Sequence, residues 1–203
     1  MIVELFGPVG SGKTTIAKQL RDSKGFVLVR INNKAELVLY GLKFYLRHPA
    51  AGLAMFTWLI FSCRLQSFFH IAVSVLLYRP AVYMKAKQVD LAVIDEGLRQ
   101  NILSIFDREL TADEIKKYLN MLPPADLLVG VSPDKMEIDR RFEQRGKETR
   151  RPWLPREAEK KWLGVVRKNF EKMKFFLLNK DNFCVIANTE ELIDCLNNLW
   201  INK

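Results

Sequence analysis

Cysteine is scarce in these 203 residues: Cys63, Cys184 and Cys195 are the whole supply. An odd number without paired spacing provides neither a disulfide framework nor a zinc site, and it suits a reducing, cytoplasmic compartment. Long hydrophobic runs are also missing. Pro49–Cys63 is an uncharged, mostly apolar run of 15 residues and Leu65–Tyr78 another of 14, with Arg64 between them and Gln66 and His70 interrupting the second. A spanning helix needs roughly 20 such residues, so the segment is expected to form two buried or partly exposed helices. No cleavable leader is expected, because the chain opens directly into a strand pattern. Repeats, low-complexity tracts and Pro/Gly linkers are lacking. Acidic residues fall short of basic ones, 23 against 32, for a net charge of +9. That balance suits an anionic partner: a nucleotide or other small polyanion, a membrane surface, or nucleic acid.

What is present is alternation. Short runs rich in Val, Ile, Leu and Phe occur at Ile2–Phe6, Phe26–Arg30, Leu91–Asp95, Asp126–Val131 and Phe183–Ala187. Their low charge predicts strands buried on both faces. Helical patterns fall between them at Lys13–Arg21, Lys34–Leu46, Leu98–Phe106, Ala112–Met121, Lys135–Arg145, Arg156–Asn179 and Glu190–Trp200. Strands alternating with helices predict one α/β domain over residues 1–203, a parallel sheet with helices on both faces. Residues 34–88 form a helical segment within it, and residues 134–156 a basic one.

Gly7-Pro8-Val9-Gly10-Ser11-Gly12-Lys13-Thr14 stands between the first strand and the first helix. This is the spacing of a phosphate-binding loop in its proper context. Glycines let the backbone curl and aim its N–H groups at phosphate oxygens, and the helix adds its positive end. Val9, Gly10, Ser11, Gly12 and Thr15 are therefore expected, with Gly7, around the phosphates of ATP. Lys13 is expected on the β and γ phosphates and Thr14 on Mg²⁺.

A second acid is needed beside that metal, at the carboxyl end of a neighbouring strand. The stretch "VDLAVIDEG" offers Asp95 there, with Glu96 next to it. Asp95 is expected as metal partner and Glu96 as the general base, though the two could exchange these roles. Further on, "DRRFEQRGKETRR" places Arg141 and Arg145 one helical turn apart, followed by Lys147. Arginines on a closing segment suit the neutralisation of charge on a moving phosphoryl group.

With these motifs in place, the chain resembles the P-loop nucleoside and nucleotide kinases, the thymidylate kinase and deoxynucleoside kinase group. The resemblance runs from Gly7–Thr14 through the strand ending in Asp95-Glu96 to a lid at Arg141-Phe-Glu-Gln-Arg145-Gly-Lys147. It implies a three-layer α/β/α fold with a five-stranded parallel sheet in the order 2-3-1-4-5. It also implies ATP with Mg²⁺ as donor and a hydroxyl or phosphate acceptor. "FSCRLQ" resembles the helix on which thymidylate kinases carry an acceptor-phosphate arginine, here Arg64. Arg30, Arg99 and Gln100 complete the candidate acceptor contacts.

The departures bear on the acceptor. Thymidylate kinases follow the strand with Asp-Arg and deoxynucleoside kinases with Glu-Arg, whereas this chain has Asp95-Glu96. The glutamate that deoxynucleoside kinases carry after the second strand is replaced by "RINNKAE". Residues 34–88 are more apolar than a nucleotide site needs. They suit a bulky or lipid-linked acceptor, peripheral membrane contact, or homodimer contact through residues 49–78, beside ordinary core packing.

The rival class is a nucleotide switch or hydrolase, at a membrane or a partner surface. A GTPase would show Asp-x-x-Gly after the strand, but Asp95-Glu96-Gly97 is a residue too short. "NKD" at Asn179–Asp181 likewise lacks one residue of the guanine motif. Nucleic acid is not expected as a partner, since the basic segment lacks interleaved stacking aromatics beyond Phe142 and Trp153.

Overall fold

In the computed structural model, which describes residues 1–62, 71–134, 136–138, 140 and 156–201, strand β1 (Ile2–Phe6) runs through the middle with all five residues buried. It pairs in parallel with β3 (Ala92–Ile94) and with β4 (Leu127–Val131), Val3 standing opposite both Val93 and Leu127. Outside these lie β2 (Val27–Leu28) and β5 (Phe183–Ile186), so the sheet order is β2-β3-β1-β4-β5. This is the expected order. Burial on both faces holds for the three inner strands but not for the outer two. Val27 is 48% exposed and Val185 37%, because an edge strand has a neighbour on one side only.

Strand alternation sends Ile2 and Phe6 to one core and Val3 and Leu5 to the other. The smaller core is closed by α1 (Lys13–Lys24) and α8 (Thr189–Ile201) through Ile16, Leu20, Leu192 and Leu196. The larger is closed by α2 (Lys34–Arg47), α3 (Pro49–Ser62), α4 (Arg79–Ala86), α5 (Gln100–Ile105), α6 (Ala112–Met121) and α7 (Arg156–Leu177).

Local chemistry explains several of the helix ends. Gly25, at φ 70, stops α1 in the left-handed conformation that costs glycine little. The Asn33 side chain accepts the Glu36 N–H at the start of α2, and Thr111 and Glu114 form a reciprocal capping box on α6. The apolar run ends differently from expectation. Val73–Tyr78 is π-helical, and the Arg79 N–H donates to the Ser74 carbonyl. The chain then continues into α4, where Pro80 has no N–H to give the preceding turn and the Leu76 carbonyl accepts the Tyr45 hydroxyl instead. No helix among the described residues is long and apolar enough to cross a membrane.

Candidate active site

The loop after β1 returns on itself through two left-handed glycines, Gly10 (φ 86) and Gly12 (φ 93). Gly7 is needed for a different reason. A Cβ there would stand 2.5 Å from the Val131 carbonyl oxygen, so any side chain would push β4 away from the loop. Gln100, buried at the start of α5, holds the same glycine on both sides: its Oε1 accepts the Gly7 N–H at 3.0 Å and its Nε2 donates to the Gly7 carbonyl at 3.1 Å. The Lys13 ammonium lies within the loop, donating to the Gly7 and Pro8 carbonyls at 2.9 Å each and to Ser11 Oγ at 3.3 Å.

At the carboxyl end of β3 the chain delivers two acids to this loop. Thr14 Oγ1 donates to Asp95 Oδ2 at 3.1 Å, and Arg30, at the end of β2, approaches the same oxygen at 3.6 Å. Glu96 lines a small recess together with Val9, Gly10, Gly12, Lys13, Thr14 and Thr15. Behind Glu96 stands Arg79, whose Nη2 lies 3.8 Å from its carboxylate. Arg79 is itself buried, donating to Asn101 Oδ1 at 2.5 Å and to Ser104 Oγ at 3.0 Å. Burial pushes its pKa down to about 10, against the opposing pull of Tyr118 and Glu4, so it remains a cation at neutral pH.

On the far side of the loop an open trough of about 730 Å³ runs between α1 and the turn after β5. Ser11, Thr15 and Gln19 line one wall and Asn188, Thr189 and Glu190 the other. Asn179-Lys180-Asp181 precedes β5, at the opposite edge of a parallel sheet from the turn that lines this trough. It therefore takes no part in the site.

Two candidate acceptor residues are turned inward instead. Arg99 donates to Glu4 Oε2 at 2.7 Å and to the Pro123 carbonyl at 2.5 Å, and is 4% exposed. The cause is Glu4, a carboxylate in the middle of a buried strand, which must have a cation beside it. The pair constrains the backbone as well. Glu4 Oε1 accepts the Arg99 N–H at 2.6 Å, and a Cβ on Gly97 would meet the Glu4 carboxyl at 2.4 Å. Gln100 is the loop clamp already described. Sequence reasoning missed Glu4 and Arg79, and only Glu4 left a signal: one charge inside an otherwise apolar strand run.

Arg64, Arg141, Arg145 and Lys147 lie outside the described residues. Residues 136–138 and 140, within the expected helix Lys135–Arg145, are helical, and the Asp134 side chain accepts the Met136 N–H at 3.0 Å. Ile138 is buried, and its carbonyl would stand 3.5 Å from a Cβ on Gly10. That helix therefore starts against the glycine loop.

A magnesium ion fits the donors present. Mg²⁺ is held through one or two protein oxygens plus phosphate and water, and the Thr14 hydroxyl and Asp95 carboxylate supply two hard oxygen donors within 3.1 Å of each other.

No family model matches the sequence, and no curated protein matches it. Solved structures do match in fold. A deoxyadenosine kinase from M. mycoides with bound dATP is 15% identical, with 97% of this chain and 99% of that chain covered at a TM-score of 0.59. The same enzyme with the products dCMP and a flexible dCDP is 16% identical over the whole of both chains, at 0.56. Its complex with dCTP, also 16% identical over both whole chains, superposes at 0.50. The chain has the fold of the P-loop deoxynucleoside kinases.

Proposed function

We propose that the protein is a phosphotransferase of the nucleoside-kinase kind, moving the γ-phosphoryl group of Mg-ATP to a hydroxyl or phosphate of a small acceptor. The observation that carries this reading is the convergence of Lys13, the Thr14–Asp95 pair and Glu96 on one rim of the sheet. The whole-length fold match to deoxyadenosine kinases supports it further.

Lys13 would exchange its loop carbonyls for β and γ phosphate oxygens, while the loop N–H groups hold the remaining charge. Thr14 and Asp95 would hold the magnesium ion, which when bound neutralises charge on those phosphates. The adenosine would lie in the trough beside Thr15, Gln19 and Asn188. Glu96 would take the proton of an acceptor hydroxyl as its oxygen bonds to the γ phosphorus and the bond to the bridging oxygen breaks, leaving ADP. Arg79 would hold the Glu96 carboxylate in position from behind. Asp95 could serve as base in its place, and a phosphate acceptor would need none. Arg141, Arg145 and Lys147 would close over the transferring group, a reading supported by the seating of Ile138 on the loop.

The test is to incubate the protein with γ-labelled ATP or GTP and panels of nucleosides, nucleotides, sugars and polyprenyl alcohols. Label moving to one panel with acceptor-dependent ADP release establishes the transfer. Label appearing only as inorganic phosphate, at a rate no acceptor changes, would instead make the protein a hydrolase or switch. Alanine at Arg141 or Arg145 is expected to lower turnover by about two to three powers of ten, with ATP affinity much less affected, as for loss of one preorganised donor.

A further inference from the structure

Fifteen large apolar side chains are exposed among the described residues, and ten of them fall between Val38 and Leu77. On α2, Val38, Leu39, Leu42 and Leu46 fall within about 100° of the helix circumference, so they form one stripe, with Leu46 82% exposed. On α3, Leu53, Phe56, Ile60 and Phe61 spread over about 140° of the circumference, with Phe61 83% exposed. Val73 and Leu77 continue the exposure onto the π-helical stretch, which packs against both helices. α3 carries no charge from Pro49 to Ser62 and is apolar all round. A helix of that kind is expected to be covered on every side, yet here Ala51, Ala54, Met55 and Leu59 are buried and Trp58 packs on the core, while the opposite side stands in solvent. Single exposed apolar residues are ordinary; a concentration of this size marks an interaction surface.

The charge around this face says what covers it. Lys34, Arg47 and Lys87 are exposed at its margins, and Lys43 lies over the Tyr40 ring. Glu36 is the sole acid between residues 34 and 89, and it is already paired with Lys85 at 2.7 Å. The neighbouring α6 brings Asp113 and Glu114 in its first turn, but Arg108 holds Glu114 at 2.6 Å and Lys116 and Lys117 follow. The face is therefore apolar in the middle and cationic at its edge. A second copy of the chain fits poorly, because a two-fold interface would set this cationic edge against itself. A spanning arrangement does not fit either, since 14 residues of helix cover only about 21 Å.

We propose that the α2–α3 face docks the protein on an anionic lipid surface, the apolar side chains entering the acyl boundary and the lysines and arginine meeting the headgroups. This inference does not depend on the phosphotransfer reading. It is tested by sedimenting the full-length protein with vesicles of phosphatidylcholine, alone and mixed with phosphatidylglycerol. Binding to the mixed vesicles is expected, weakened by salt, with little binding to phosphatidylcholine alone. Leu46→Glu with Phe61→Glu is expected to lower that binding about a hundredfold, and Lys34→Glu with Arg47→Glu at least about tenfold. All four positions are solvent-facing, and unchanged thermal melting would show that the variants fold. Three results would each overturn the proposal. One is a wild-type protein indifferent to both vesicles. Another is binding that both double variants leave intact. The third is a wild-type dimer in light scattering that Leu46→Glu with Phe61→Glu converts to monomer.

Discussion

The loop beneath the candidate site is glycine-rich and the α2–α3 face apolar, and the two are held in opposite ways. Around the loop the backbone leaves no slack: a Cβ on Gly7 meets Val131, one on Gly97 meets Glu4, and Gln100 clamps the Gly7 peptide from both sides. Along α2 and α3, large side chains stand in solvent and only Gly41, Phe44 and a few residues of α3 are locked in the core. The first region has no room for a side chain at Gly7 or Gly97, because its contacts are made by main chain and charge. The second constrains little beyond hydrophobicity and volume on its buried side. The proposed reaction chemistry thus sits where geometry is rigid, and the proposed docking surface where side chains are free of packing.

Breaking the rigid side should produce the largest effects. Lys13→Ala is expected to lower phosphoryl transfer by three powers of ten or more while leaving the melting temperature nearly unchanged, since it removes a charge donor and little core. Full activity with normal nucleotide affinity would end the P-loop reading.

Glu4→Ala probes the same region through stability. It leaves the buried Arg99 without its carboxylate and is expected to cost about 3–5 kcal/mol in denaturant unfolding. A loss below about 1 kcal/mol would mean that the pair is not what holds Gly97 and Arg99 in place.

The two acids at the rim can be separated by kinetics. Glu96→Gln is expected to slow the chemical step by about two powers of ten with nucleotide affinity nearly intact, the signature of a lost base. Asp95→Asn is expected to weaken magnesium-dependent activity more than metal-free nucleotide binding. Normal turnover in Glu96→Gln together with a dead Asp95→Asn would assign both tasks to Asp95.

The smallest effect lies on α6, beside the α2–α3 face. Thr111→Ala removes the α6 cap and is expected to cost about 1 kcal/mol. Its partner Glu114 has its pKa lowered to about 2, first by the Arg108 hydrogen bond and then by the Thr111 backbone N–H. Because the folded-state value is depressed, this contribution is complete above the ordinary value of 4.5 and is lost as pH falls toward 2. Solvent screening keeps it below about 1 kcal/mol. A Glu114→Gln variant should therefore lose less stability than wild type over that acid range.

Local sequence determined the sheet's strands, the glycine loop, the Thr14 and Asp95 positions, and the caps at Asn33 and Thr111. Each depends on residues within a few positions of one another, so spacing alone carries the information. Helix α6 falls on its expected bounds for that reason, whereas expected strand Phe26–Arg30 shrinks to two residues, since pairing at an edge is set by the neighbour β3. Only the tertiary structure decided what Arg79, Arg99 and Gln100 do. Arg99 stands beside Asp95 and Glu96 in sequence and was expected at the acceptor. A carboxylate 95 residues away turns it inward, because burying Glu4 unpaired would cost more than any contact at the rim returns. Arg79 reaches Glu96 because α4 packs back against β3, a contact that no spacing rule records. Burial decides where a charge points, and burial is a property of the assembled chain.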